Sequence, residues 1–243
     1  MSSNRIALIT GGNKGIGLET ARQLGKQGIT VLIGARDESR GLAAVEELKK
    51  EKIDARFVPL EVTDAKSIAA AAKSIEKDFG RLDILVNNAG VILYDGDGAA
   101  SKVSDDILRR TFEINYFGMV AVTRAFLPLV RKSDAGRIVN LTSILGSIAE
   151  HADPNSLIYS LKLLAYDSSK AAVNMFTNHL AHELKETKIK VNAAHPGWVK
   201  TDMGGSDAPM EIVDGAKTSV ALATLPDNGP SGGFFHMGVH MRW

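Results

Sequence analysis

The stretch "RIALITGGNKGIG", residues 5–17, decides the fold. Ile6 to Thr10 is a short apolar run that reads as a strand. Residues 15–27 carry Ile16, Leu18, Ala21 and Leu24 at helical spacing. Between them, Gly11, Gly15 and Gly17 let the backbone turn tightly and approach a pyrophosphate. The start of the helix behind them offers free N–H groups and the positive end of its dipole. The glycine spacing is not G-x-G-x-x-G, and no lysine-serine ending follows, so a nucleotide triphosphatase is disfavoured.

The same alternation continues outward. "ITVLIGA" (29–35), "ARFVPL" (55–60), "LDILVNN" (82–88), "GRIVNLTS" (136–143), "IKVNAAH" (189–195) and "GGFFHM" (232–237) read as further strands. Most are continuously apolar, which suits a parallel sheet covered on both faces. Helical stretches separate them at 38–51, 65–79, 104–132, 164–186 and 211–224, with a break expected at Pro128. The pattern predicts an α/β fold, a single doubly wound parallel sheet of about seven strands with helices on both faces. One domain over 1–243 is expected, with a cofactor half to about residue 140 and a catalytic and substrate half from 141. Residues 144–163 and 199–210 lack a period and read as long, functional loops.

Composition narrows the function. The 243 residues include no cysteine, which excludes disulfides and thiolate chemistry. A formal net charge of +1 gives no footprint for nucleic acid or membrane. His151 and His195 lack metal-ligand spacing, so no metal site is expected. The first apolar run is too short for a signal peptide or membrane span, and a cytoplasmic protein is expected.

The second strand ends at Arg36, about 20 residues beyond the glycine loop, where an acidic residue would suit NAD and a cation suits a 2′-phosphate. Lys14 is placed to reach the same phosphate, and Asp37, with Ser39, reads as the cap of the next helix. NADP(H) is therefore favoured over NAD(H).

"AYDSSKAAV" (165–173) puts Tyr166 and Lys170 four residues apart, on one helical face. A nearby ammonium favours the phenolate. Lowering a tyrosine from its usual pKa of about 10 to about 7 requires roughly 4 kcal/mol. Tyr159 and Lys162 form a similar pair in a less regular segment, where packing or substrate lining is expected. Ser143 ends a predicted strand, where ligands of open α/β sheets bind, and could polarise a carbonyl that Tyr166 protonates.

Together these motifs resemble the short-chain dehydrogenase/reductase family, with its Rossmann fold, over nearly the whole chain. The matching elements are "TGGNKGIG" (10–17), "NNAG" (87–90), Asn115 in "FEINYFG", Ser143, "YDSSK" (166–170) and "HPGWVKTDM" (195–203). The resemblance implies that Asn13 and Ile16 join the three glycines at the cofactor. It implies that Asn88, Ala89 and Gly90 form the adenine-side wall. Glu61 and Val62 then lie at the adenine edge, and Pro196, Gly197, Val199 and Thr201 lie against the nicotinamide half. Asn115 is implied to hold a water in a proton relay, Ser143 to orient the carbonyl, and Tyr166 to be the general acid or base. Lys170 is implied to bind the ribose and lower the tyrosine pKa.

The C-terminal third is similar to carbonyl reductases that reduce ketones and quinones with NADPH. Leu93, Ile144, Leu145, Tyr159, Trp198 and Met203 are candidate pocket residues, mostly apolar, so a hydrophobic ketone or aldehyde is expected rather than a sugar. The alternatives are a 3-oxoacyl-ester reductase and a non-catalytic nucleotide-sensing protein of the same fold. Two features depart from the family pattern. Ser143 and Tyr166 are 23 positions apart, a longer interval than usual, which favours a monomer or dimer over a tetramer. "LEVTD" (60–64) carries Glu61 where aspartate is common.

Overall fold

The apolar runs become strands because both of their faces are covered. In the computed structural model, which describes residues 5–243, β1 (Ile6–Thr10), β2 (Thr30–Ala35), β4 (Ile84–Asn87) and β5 (Arg137–Leu141) are buried throughout. A strand sends alternate side chains to opposite faces. Ile6 and Leu8 thus enter one core with Ile68 and Ile75 of α3 (Ala65–Phe79), Phe126 of α5 (Met119–Val130) and Leu180 of α7 (Leu164–Glu183). Ala7 and Ile9 enter the other, with Leu24 of α1 (Gly15–Lys26), Leu48 of α2 (Glu38–Lys50) and Ala223 of α8 (Ile212–Ala223).

With β3 (Ala55–Pro59), β6 (Lys190–Ala194), β7 (Phe234–His236) and β8 (Val239–His240), the sheet has the order β3-β2-β1-β4-β5-β6-β7-β8. Among the described residues it has eight strands, one more than expected. The addition, β8, pairs antiparallel with β7. Met237 (φ 47°) and Gly238 (φ 82°) make the two-residue turn between them, with both backbones left-handed as such hairpins require. A strand of two residues behind a Met-Gly turn leaves no periodic signal in the sequence.

The chain runs outward from β1 to β3 and then returns past β1 to β4. The ends of β1 and β4 therefore face the crevice at the point where strand order reverses, which is where ligands of such sheets bind.

Residues 104–132 are not broken at Pro128. α4 (Asp105–Phe112) passes into a π-helical turn, Glu113–Gly118, and then into α5, which continues through Pro128 to Val130. The proline sits in the last turn, where little helix remains to lose. The irregularity falls earlier, and its wide turn contains Asn115.

Residues 144–163 form a 3₁₀ turn (Ile144–Gly146), the short α6 (Ile148–Ala152) and a series of turns. The C-terminus fastens this segment. Ala149 N–H donates to the Trp243 carbonyl at 3.0 Å, and Arg242 pairs with Glu150 at 2.8 Å and Asp153 at 3.1 Å.

Candidate active site

At the glycine loop, backbone takes the room a side chain would need. Gly11 has φ +62° and Gly15 φ +54°, conformations that L side chains rarely adopt. A Cβ on Gly17 would lie 2.5 Å from Asn88 Nδ2 and 2.6 Å from the Gly11 carbonyl. Behind the loop, α1 begins at Lys14 with no side-chain cap and no acid in its first turn. An uncapped, acid-free helix start behind a bare backbone loop fits a dinucleotide pyrophosphate. Asn13 and Ile16 are half-buried on that loop.

The wall beside the loop is fixed by Thr10, which the motif reading missed. Its buried hydroxyl accepts from the N–H groups of Asn88 and Ala89, both at 3.0 Å. Asn88 Nδ2 returns bonds to the carbonyls of Thr10 at 2.8 Å and Gly11 at 3.1 Å. Gly90 leaves its space to Asn115 and Lys170: a Cβ there would lie 3.2 Å from Asn115 Oδ1 and 3.5 Å from Lys170 Nζ.

The two expected phosphate cations each pair with a different carboxylate in this structure. Arg36 is exposed beyond β2 and pairs loosely with Glu61 at 3.5 Å. Lys14 instead binds Asp202 at 2.7 Å, across from the loop after β6. Both pairs are largely exposed and weakly held, so neither commits its cation. Asp37 caps α2 by accepting from Arg40 N–H at 3.0 Å, while Ser39 lies within the helix. Glu61 also accepts from the Thr63 hydroxyl at 3.0 Å. The Val62 side chain is buried in the core, and its carbonyl lies against Gly118, where a Cβ would stand 2.8 Å away.

In the loop after β6, Gly197 turns with φ +92° behind the half-buried Pro196. Val199 is buried and forms a bridge with Met210. The Thr201 methyl lies 3.6 Å from where a Gly15 Cβ would stand, so this loop does face the glycine loop. Burial and the neighbouring His236 hold His195 down to about pKa 3, so it is neutral.

Ser143, Tyr166, Lys170 and Asn115 are all buried and meet below this crevice. They meet because the 3₁₀ turn after Ser143 ends in a glycine that lets it close on α7. Gly146 packs directly on the Lys170 backbone, where a Cβ would come within 2.7 Å of its carbonyl carbon. Asn174 Nδ2 donates to the Gly146 carbonyl at 3.0 Å, and Thr142 Oγ1 to the Lys170 carbonyl at 3.3 Å. These contacts bring the turn carrying Ser143 onto the helix carrying Tyr166. The Ser143 hydroxyl accepts from Leu145 N–H at 3.2 Å and lies close enough to the Tyr166 phenol to act on its ionisation.

The electrostatics reverse one expectation. Burial pushes the Tyr166 phenol above its ordinary range, against the smaller opposing effect of Ser143. Lys170 does not offset this, because burial draws its own pKa down to about 8. Its ammonium donates to the Leu141 carbonyl at 3.0 Å and lies 5.6 Å from the centroid of the tyrosine ring. Tyr166 is a fully protonated phenol at neutral pH, a donor that must be drawn on by charge developing on its partner. Asn115 is also more committed than a water relay through its side chain would need. Both amide hydrogens are used, on the Val91 carbonyl at 2.9 Å and the Ser169 hydroxyl at 3.0 Å, and Oδ1 accepts from Val91 N–H at 2.8 Å.

The pocket expectations divide. Ile144 and Leu145 pack with Tyr166, together with Ile92, Ile158 and Leu163, which the sequence reading missed for want of a period. Leu93 is half-buried outside that cluster. Tyr159 is exposed, with the Lys162 ammonium 5.2 Å from its ring centroid. Trp198 and Met203 belong to the loop after β6, where Trp198 Nε1 donates to the Gly204 carbonyl at 2.8 Å. Tyr94, also missed, donates its hydroxyl to the Met203 carbonyl at 2.9 Å and so links the loop after β4 to the loop after β6. His151 is bound to the Leu145 carbonyl at 2.9 Å and to Asp167 at 3.2 Å.

A glycine cradle at the switch point of a doubly wound sheet, beside a buried serine, tyrosine and lysine, is the architecture of a dinucleotide-dependent oxidoreductase. The short chain dehydrogenase family model matches residues 5–211, and the chain belongs to the short-chain dehydrogenase/reductase family. It is an oxidoreductase acting on CH–OH/C=O groups. The (+)-neomenthol dehydrogenase of Arabidopsis thaliana is 38% identical, with 95% of each chain covered. Carbonyl reductase (NADPH) 1 of Bos taurus is 34% identical over 100% of this chain and 99% of its own. The solved NADPH-bound carbonyl reductase from chicken fatty liver has a TM-score of 0.86 at 30% identity, with 99% of both chains covered.

Proposed function

We propose that the chain reduces a hydrophobic ketone, aldehyde or quinone carbonyl to the alcohol, reversibly, with NADP(H) as the cofactor. The observation that carries this reading is the buried Ser143–Tyr166 hydroxyl pair, set in an apolar cluster of Ile92, Ile144, Leu145, Ile158 and Leu163. When bound, NADPH supplies the hydride to the carbonyl carbon. Ser143 holds the carbonyl oxygen by a hydrogen bond, and Tyr166 gives it a proton as negative charge develops there. The high tyrosine pKa keeps that proton in place until the charge appears. Lys170 would hold the ribose hydroxyls of the bound cofactor.

Arg36 and Lys14 would hold the 2′-phosphate, since their exposed pairs with Glu61 and Asp202 are weak enough to exchange. NADPH preference is supported by the carbonyl reductase relatives, which carry that cofactor in their names. A monomer or dimer in the cytoplasm remains the expected setting.

The test is NADPH and NADH oxidation against a panel of ketones, ketoesters and quinones. NADPH is expected to be preferred, and Tyr166→Phe is expected to lose at least about 10²-fold in kcat while still binding NADPH. Wild-type turnover in that variant, or a clear NADH preference, overturns the corresponding half of the reading.

A further inference from the structure

Helix α7 begins without a local cap, since Leu163 at its N-cap position has no side-chain acceptor. Its first N–H groups are taken instead by a loop far away in sequence. The Gly98 carbonyl accepts from Leu164 N–H at 3.1 Å. Asp97 Oδ1 accepts from Ala165 N–H at 2.9 Å, and Asp97 Oδ2 accepts from Tyr166 N–H at 3.0 Å. Oδ1 also accepts from Gly98 N–H at 2.8 Å, which fixes the carboxylate within its own loop. Asp97 is half-buried there.

We propose that Asp97 is the positioning residue for Tyr166. Its carboxylate clamps the first turn of the catalytic helix and so holds the tyrosine hydroxyl in register with Ser143. This rests on Tyr166 as the proton donor proposed above.

Three physical points support the proposal. A carboxylate spanning two N–H groups at a helix start makes charge-assisted bonds and also faces the positive end of the dipole. Tyr166 is the third residue of α7, inside the turn that frays when its N–H groups lose their acceptors. Lys170 sits one turn deeper and is held independently, by the Leu141 carbonyl and by Gly146. Loss of the clamp therefore loosens the tyrosine but leaves the lysine in place. The Asp167 carboxylate does not substitute, because it accepts from Leu163 N–H, outside the helix. The clamping loop also carries Tyr94, bound to Met203, so the wall between the two crevice loops and the proton donor are mechanically joined.

The experiment compares Asp97→Ala, Asp97→Asn and the loop control Asp95→Asn. It measures kcat per NADPH-binding site and amide hydrogen exchange across residues 164–170. Asp97→Ala is expected to lose about 10²-fold in kcat, the scale of an ångström-sized misplacement, with NADPH affinity unchanged. Exchange is expected to quicken at Ala165 and Tyr166 but not at Lys170. Asp97→Asn, which keeps one acceptor oxygen, is expected to recover part of the loss, and Asp95→Asn is expected to match the wild type.

A wild-type kcat in Asp97→Ala, a loss that only tracks lost NADPH binding, or unchanged exchange at Ala165 and Tyr166 each overturns the proposal. Tyr166→Phe, assayed in parallel, separates the two readings. If it retains full turnover, the proton-donor reading fails. Quickened exchange in Asp97→Ala would then leave the carboxylate as a helix cap with no positioning role.

Discussion

Gly146→Ala isolates one contact that builds the active site. Gly146 does not have a left-handed backbone, so alanine is locally tolerated and would even restrict the unfolded chain. The obstacle is tertiary. The new Cβ would lie 2.7 Å from the Lys170 carbonyl carbon, 2.8 Å from its Cβ and 2.9 Å from its oxygen, where ordinary contact begins at 3.4 Å. The turn and helix must part by about 0.7 Å. They are stapled by Asn174 to the Gly146 carbonyl, Thr142 to the Lys170 carbonyl and Lys170 to the Leu141 carbonyl, so the strain cannot dissipate in one flexible side chain. Overpacking of this kind costs about 1–3 kcal/mol. Because Ser143 is on the turn and Tyr166 on the helix, their separation changes with it. A displacement approaching 1 Å at a reacting pair implies a kcat loss of about 10- to 100-fold. Urea unfolding reads the first effect, and kcat per NADPH-binding site reads the second. Wild-type kcat together with an unshifted urea midpoint would refute the claim that this close approach sets the catalytic geometry.

Two further substitutions probe the supports. Thr10→Val keeps the side-chain shape but leaves the N–H groups of Asn88 and Ala89 without their acceptor, at a cost of roughly 2–4 kcal/mol. Calorimetry should show Tm lower by about 5–15 °C, and an unchanged Tm would mean those groups find other partners. His195 is neutral when folded, with its pKa held by burial to about 3 against the ordinary 6.5 of an imidazole, so the unfolded chain takes up its proton first as pH falls. The stability this residue confers is whole above pH 6.5 and is lost progressively toward pH 3, by up to about 5 kcal/mol. His195→Asn should therefore flatten the fall in unfolding free energy between pH 6.5 and 4, and a slope equal to that of the wild type would place the acid sensitivity elsewhere.

The residues differ in how far they could be read before the fold was known. The strands were legible because burial on both faces demands continuous apolar runs, and "RIALIT" and "GRIVNL" carry that demand in their own composition. The glycines and the Tyr166–Lys170 pair were legible for a related reason: a tight turn and a helical face are local geometries with fixed spacing. Pro128 misled because a proline signals a break without saying how much helix remains beyond it. The pocket was half legible. Ile144 and Leu145 follow directly from Ser143, whereas Ile158 and Leu163 reach Tyr166 only through the aperiodic path of residues 153–163.

The sequence by itself determined the sheet class, the cofactor loop and the identity of the catalytic candidates, since each depends on residues within a turn or two of one another. Tertiary structure decided their state. Whether Tyr166 is easy or hard to ionise depends on how deeply α7 is buried, and that burial raised the tyrosine and lowered the lysine meant to assist it. Whether Lys14 is free depends on Asp202, 188 residues away. The start of α7 depends on Asp97, 69 residues before the tyrosine it fixes. Spacing along the chain carries none of this, because hydrogen bonds and desolvation act through distances that exist only once the sheet has brought its loops together.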